Sequence, residues 1–169
     1  MDDDAELAAR AARDDCRAFS VLVSRHERRL RAFLARVAGP GRADDLAQEA
    51  FLRAWRFRAR FDGTGGYAGW LLRIGWRVFL DAERARARHR IAAIDPLDRP
   101  APGYPDDAID IARVLAALDP AERACLVLCV GQGWSHAEAA AILDMPLGSL
   151  KSRLTRATRR ARAMLEEEG

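Results

Sequence analysis

SHAEAAAILDMPLGSLKSRLTRATRRAR, the stretch from Ser135 to Arg162, decides the fold class. Ser135 followed three residues later by Glu138 is a capping box, in which a hydroxyl and a carboxylate satisfy each other's backbone N–H groups at a helix start. The short helix it opens is predicted to end near Leu143, Asp144-Met145-Pro146 makes a tight turn, and a long helix follows. On that second helix Leu147, Leu150, Leu154, Ala157, Ala161 and Met164 recur in steps of three and four, which lines them up on one face. Helix, turn, helix is the expected result. Ser152, Thr155, Arg156 and Arg159 fall on the opposite face, with Lys151 beside them and Arg153 and Arg160 flanking. A donor-rich second helix braced by a first fits a DNA major groove, where base edges and phosphates present acceptors. The alternative reading is a solvated basic face.

Upstream, Asp119-Pro120-Ala121-Glu122 puts an N-cap acid, a first-turn proline and an N3 glutamate in the order that opens a helix and repeats the capping box. Between Ile91 and Asp110 one arginine stands against Asp95, Asp98, Asp106, Asp107 and Asp110, and Pro96, Pro100, Pro102 and Pro105 are four of the seven prolines. No helix is expected across that stretch. Before it, Phe19, Leu22, Leu30, Phe33, Leu34 and Val37 stripe a helix that stops at Gly39-Pro40-Gly41. Leu46, Ala50, Phe51, Ala54 and Trp55 stripe a second. After the loop Asp62-Gly63-Thr64-Gly65-Gly66, a third turns Tyr67, Trp70, Leu71, Ile74 and Val78 inward and ends rich in arginine. No window alternates as a half-buried strand would. The chain is expected to be all-α, with two small helical domains. Residues 1–90 form a bundle of three or four helices, 91–106 an acidic, proline-rich linker and 107–169 a helix-turn-helix domain.

Composition excludes other classes. Of 169 residues, 50% are hydrophobic and 31% charged, too apolar for a disordered chain. No apolar run approaches the roughly 18 residues of a membrane-spanning helix, and Asp2, Asp3, Asp4 and Glu6 stand where a secretory signal would be basic, so a cytoplasmic protein is expected. Cys16, Cys125 and Cys129 lack the spacing of a disulfide framework or zinc site. Cys125 and Cys129 share the face of Leu126 and Val130 and read as core; a metal or redox site with His136 is the weaker alternative. Asp44, Asp45 and Glu49 have no converging partner for a catalytic Mg²⁺, so no catalytic residue, metal or cofactor is expected. The net charge of +3 hides a bias, because Lys151 is the one lysine among 28 basic residues. Arginine grips phosphate and guanine bidentately.

Three strings together resemble a family. ADDLAQEAFLRAWR (Ala43 to Arg56), GWLLRIGWRVFLD (Gly69 to Asp81) and Ser135 to Arg162, with the acidic linker between the second and third, are similar to extracytoplasmic-function sigma factors of bacterial RNA polymerase, in the sigma-70 family. The resemblance covers about 20 to 165. It implies a two-domain promoter-recognition subunit that is not an enzyme. Its partners would be core RNA polymerase, promoter DNA and an anti-sigma factor, which would hold it at the inner membrane face where that factor is membrane-bound. A DNA-binding regulator acting without polymerase, or a mimic that sequesters an anti-sigma factor, stays open as an alternative.

The resemblance also implies site residues. Asp45, Gln48, Glu49 and Phe51 match the helix that docks the clamp coiled coil of the polymerase largest subunit. Phe61 to Tyr67 match the loop that pockets a base flipped from the −10 element, where Tyr67 would stack, with Arg73, Arg77 and Arg84 on strand phosphates. Gly75-Trp76-Arg77 departs from the Ala-Arg-Asn common in the family, so the asparagine contact expected at Arg77 is missing. Lys151, Ser152, Arg153, Thr155 and Arg156 match contacts to the −35 element. Asp95, Asp98, Asp106 and Asp107 would lie in the RNA exit path, imitating nucleic-acid charge.

Overall fold

The computed structural model describes residues 3–92 and 106–166, with the side chains of residues 90–92 and 106–110 outside the description. Among the described residues every regular element is helical, as the periodicity predicts. The first element was not legible as a helix from its apolar spacing. α1 (Asp4–Ala11) starts on a capping box, in which Asp3 Oδ1 accepts from Glu6 N at 2.8 Å and Asp3 N donates to Glu6 Oε2 at 3.3 Å. It buries Leu7, Ala8 and Ala11. Asp4 pins it to the next helix, 2.7 Å from His26 Nε2 and 3.0 Å from Arg25 Nη1.

α2 (Cys16–Ala38) is N-capped by Asp15, whose carboxylate accepts from Arg17 N and Ala18 N, each at 3.0 Å. Leu22, Leu30, Phe33, Leu34 and Val37 form its buried stripe. Gly39 breaks the chain at φ 90°, a left-handed conformation that a side chain would resist, and Pro40 starts α3 (Pro40–Arg56) at a position where its missing N–H costs nothing. A 3-10 turn at Arg58–Arg60 leads to α4 (Gly66–Ala92). α4 crosses α2 closely at Gly75, where an added Cβ would stand 2.7 Å from Leu30 Cδ1. Trp76, the residue that departs from the family string, is buried and stacks on Phe79 with ring centroids 5.3 Å apart. It is a core residue.

The second group comprises α5 (Asp106–Ala117), α6 (Pro120–Leu126) running into a π-helical turn at Val127–Gly131, α7 (His136–Leu143) and α8 (Leu147–Glu166). α5 corrects the expectation of no helix up to Asp110. The last proline of that stretch is Pro105, and from there to Ala117 nothing removes a backbone donor. α4 likewise continues to Ala92. The linker aspartates Asp95 and Asp98 lie outside the described residues, as do the side chains of Asp106 and Asp107. Cys125 is buried, which pushes its thiol up to about 11, whereas Val130, expected on the same face, is exposed. The wider π turn rotates it out of register.

The two groups are packed together. α7 lies on α4 and α6 on α2, and the buried side chains of both form one contiguous cluster. Among the described residues no helix is long and apolar enough to cross a membrane.

Candidate nucleic-acid and polymerase interfaces

α8 carries the first candidate surface. Ser135 and Glu138 close the predicted capping box on α7, and a turn through Asp144 and Pro146 sets α8 across it. Leu150 and Ala157 anchor the inner face, leaving Lys151, Ser152, Thr155 and Arg159 exposed. The Thr155 hydroxyl donates back to Lys151 O at 3.0 Å. Arg153 is half-buried, 3.9 Å from Asp119.

Arg156, expected on the same face, is exposed and also meets a carboxylate of α6. Its Nε lies 2.6 Å from Glu122 Oε1, and Arg160 Nη1 lies 2.9 Å from Glu122 Oε2. Glu122 is only 2% exposed. It does not close a capping box on Asp119, which caps α6 alone through Ala121 N and Glu122 N at 2.9 Å each. A buried carboxylate needs cationic partners more than a helix start needs a second cap. Arg156 therefore leans toward α6 at the edge of the stripe, fixed at Nε, with half its side chain still exposed.

α4 carries the second surface, and here the expected residues divide. Phe61 is half-buried, packed edge-on against Tyr67 at 5.4 Å and tilted on Trp70 at 5.6 Å. Tyr67 is 4% exposed, and burial together with Asp4 raises its phenol far above the ordinary value. Its ring packs among His26, Phe61 and Trp70, with centroids 5.3, 5.4 and 5.4 Å away. Arg84 is exposed beside Asp81 at 3.3 Å. Arg73 and Arg77 both reach Asp144 in the turn between α7 and α8, Nη2 to Oδ1 at 2.7 Å and Nη2 to Oδ2 at 3.0 Å. The hydrogen bond from Arg77 and the charge of Arg73 hold the Asp144 carboxyl below its ordinary value.

A groove between α2 and α3 is the third surface, lined by Phe19, Asp44, Gln48, Phe51, Leu52 and Trp55. Of the four residues expected to dock polymerase, it unites Gln48 and Phe51. Asp45 and Glu49 lie one helical step to the side, and Glu49 accepts from Arg53 Nε at 2.7 Å, which also reaches Asp81 at 2.6 Å. Leu52, 56% exposed, was missed in the sequence; a leucine on the solvent side of the apolar stripe was its signal.

Residues 22–89 match the family model Sigma-70 region 2, and residues 108–160 match Sigma-70, region 4. The chain is 34% identical over 162 residues to the ECF RNA polymerase sigma factor SigC of Mycobacterium tuberculosis, covering 89% of this chain and 85% of that one. The chain belongs to the ECF sigma factors. This ECF sigma factor is also 34% identical over 185 residues to the RNA polymerase sigma factor CnrH of Cupriavidus metallidurans, covering 99% of it and 96% of CnrH. Among solved structures it is similar to the sigma factor RpoE of Bartonella quintana in complex with the anti-sigma factor NepR, with TM-score 0.77 and 26% identity over 89% of this chain and 98% of that one. It is similar too to CnrH in complex with the cytosolic domain of CnrY, with TM-score 0.73 and 32% identity over 96% and 97%.

Proposed function

We propose that this ECF sigma factor directs promoter-specific initiation. The α2–α3 groove with Gln48, Phe51 and Leu52 receives core polymerase, α8 reads the −35 duplex, and α4 holds the −10 strand. It catalyses no reaction itself. The observation that carries this reading is the presence in one chain of both sigma regions, each with an exposed face of its own: donors at Lys151 and Ser152 on α8, and an apolar groove on α3. A regulator acting alone has no use for the second. Phosphates and base edges suit the first, because arginine, lysine and serine side chains donate to both.

Arg77 takes a strand-phosphate role in place of the missing asparagine, so discrimination at −10 falls to the open loop from Asp62 to Gly66. An anti-sigma factor is the natural antagonist, since the structural relatives are held in such complexes. The protein acts where polymerase is, in the cytoplasm. Reconstituted holoenzyme and run-off transcription over a genomic promoter set test the reading. Transcripts that depend on both core enzyme and this chain are expected; binding to the same DNA without any effect on core enzyme would favour a regulator acting alone.

A further inference from the structure

Glu122 has a side chain only 2% exposed, yet the two arginines that reach it stand about half in solvent, Arg156 at 49% and Arg160 at 47%. A carboxylate taken out of water needs charged partners, and α8 supplies both, one turn apart. They use their donors differently. Arg160 turns both ends of its fork into the fold: Nη1 donates to Glu122 Oε2 at 2.9 Å, and Nη2 donates at 2.8 Å to Ala117 O, a carbonyl at the end of α5 that the helix itself leaves unpaired. Arg156 is approached at Nε, 2.6 Å from Glu122 Oε1, and Glu122 is its one charged partner among the described residues.

The carboxylate between them is itself held in place. Glu122 N donates to Asp119 Oδ1 at 2.9 Å in the capped start of α6, and α6 packs along α8. Leu150 and Ala157 are fully buried and fix how α8 is turned about its axis. Arg156 therefore leaves the helix from a set position, with an acid behind it.

We propose that Glu122 is a positioning residue for −35 recognition: it holds Arg156 at Nε so that the Nη1–Nη2 end of the fork is presented to a base edge, while Arg160 stays with the fold. The inference rests on the reading that α8 enters the −35 duplex. A guanidinium carries five donors in one rigid plane, and the end formed by Nη1 and Nη2 is enough to meet both acceptors of a guanine. An arginine free on a solvated helix gives up its rotamers when it binds, whereas one pinned from behind has already given them up. Charge points the same way. Glu122 offsets part of the positive charge at this place on α8, which weakens the attraction of Arg156 to a phosphate and leaves its hydrogen bonds available to a base.

The test uses holoenzyme reconstituted from core polymerase and the full chain. A transcribed promoter competes in run-off reactions against copies carrying single base-pair changes in the −35 element. Only folded, core-bound chain enters the ratio of the two products, so a loss of stability alone does not move it. Arg156→Ala is expected to reduce preference at one base pair by about five- to hundredfold. Glu122→Gln is expected to lose about two- to tenfold at the same pair and nothing elsewhere, the factor for ordering one long side chain, and to add no further loss once Arg156→Ala is present. Glu122→Asp keeps the charge but draws it back by one methylene, and the same selective loss is expected; it serves where glutamine leaves too little folded chain. Parent-like preference in both Glu122 variants overturns the positioning, as does a loss spread evenly over the element or one that persists without Arg156. A parent preference that Arg156→Ala leaves intact at every pair overturns the positioning alone. If the parent holoenzyme transcribes all −35 variants alike, the reading of the duplex by α8 fails first, and the positioning with it.

Discussion

On α8, Arg156 and Arg160 reach Glu122, a carboxylate of the same helical group that is 2% exposed; on α4, Arg73 and Arg77 reach Asp144, a carboxylate of the other group that is 55% exposed. Burial separates the two cases. A carboxylate sealed from water and stripped of its partners destabilises a fold by about 3–5 kcal/mol. An exposed pair is worth about 0–1 kcal/mol, because water and salt take over. The Glu122 pairs fix the recognition helix against α6, whereas the Asp144 pairs can open at small cost. The same two residue types make a permanent brace in one place and a reversible contact in the other.

The largest effect is expected from the brace. Arg156→Ala together with Arg160→Ala leaves Glu122 buried and unpaired, and is expected to lower stability by about 3–5 kcal/mol in chemical denaturation of the full chain. Glu122→Gln is expected to lose less, about 1–3 kcal/mol, because the half-exposed arginines turn to solvent. If the glutamine variant proves the less stable of the two, the brace is organised around the arginines and the comparison is misdrawn.

Next in size is Gly75→Ala, which tests the support behind the reversible pair. Gly75 lies on α4 between Arg73 and Arg77, and its missing side chain lets α4 approach Leu30. The methyl group overpacks this crossing and is expected to destabilise the fold by about 1–3 kcal/mol. The displaced helix also moves both guanidinium groups. Thermal denaturation measures the first effect, and a tolerated methyl with an unchanged melting temperature would show that Leu30 yields.

The α2–α3 groove carries only an exposed pair, Arg31 Nη1 2.9 Å from Asp44 Oδ1, among its described contacts, and it predicts a binding effect without a folding effect. Gln48→Ala with Leu52→Ala removes two exposed side chains, so stability is expected to stay within about 0.5 kcal/mol of the parent. Affinity for core polymerase is expected to fall about thirtyfold, the result of truncating two interface side chains that each cost about 1 kcal/mol. Core-enzyme affinity equal to the parent's would move the docking surface toward Asp45 and Glu49.

The helices were legible in the sequence because their ends are written in local chemistry: Ser135 and Glu138, Asp119 and Pro120, Gly39 and Pro40. α1 carries the same signal in Asp3 and Glu6, obscured by the run of acids around it. The site was legible less evenly. Lys151, Ser152 and Gln48 are exposed because periodicity alone puts them opposite the core. Tyr67 and Trp76 show where that reasoning stops, since an aromatic on an arginine-rich helix serves a strand or a core depending on neighbours distant in sequence. Asp144 and Arg73 are 71 positions apart, and no spacing rule joins them. Glu122 resembles an ordinary N3 cap until α8 is folded over it.

The smallest expected effect is the sharpest for the comparison. Asp144→Asn removes two ion pairs, yet its folding stability is expected to remain within about 0.5 kcal/mol of the parent, a melting shift of about 1–2 °C for a chain of this size. Three terms combine to that result. The lost exposed pairs contribute little. Asparagine suits the left-handed turn at φ 55° as well as aspartate or better. Removing a negative charge from the end of α7 relieves a dipole penalty of about 0.3–1 kcal/mol. A loss as large as that of the double arginine variant on α8 would make Asp144 a second brace, and the difference between the two arginine pairs would disappear.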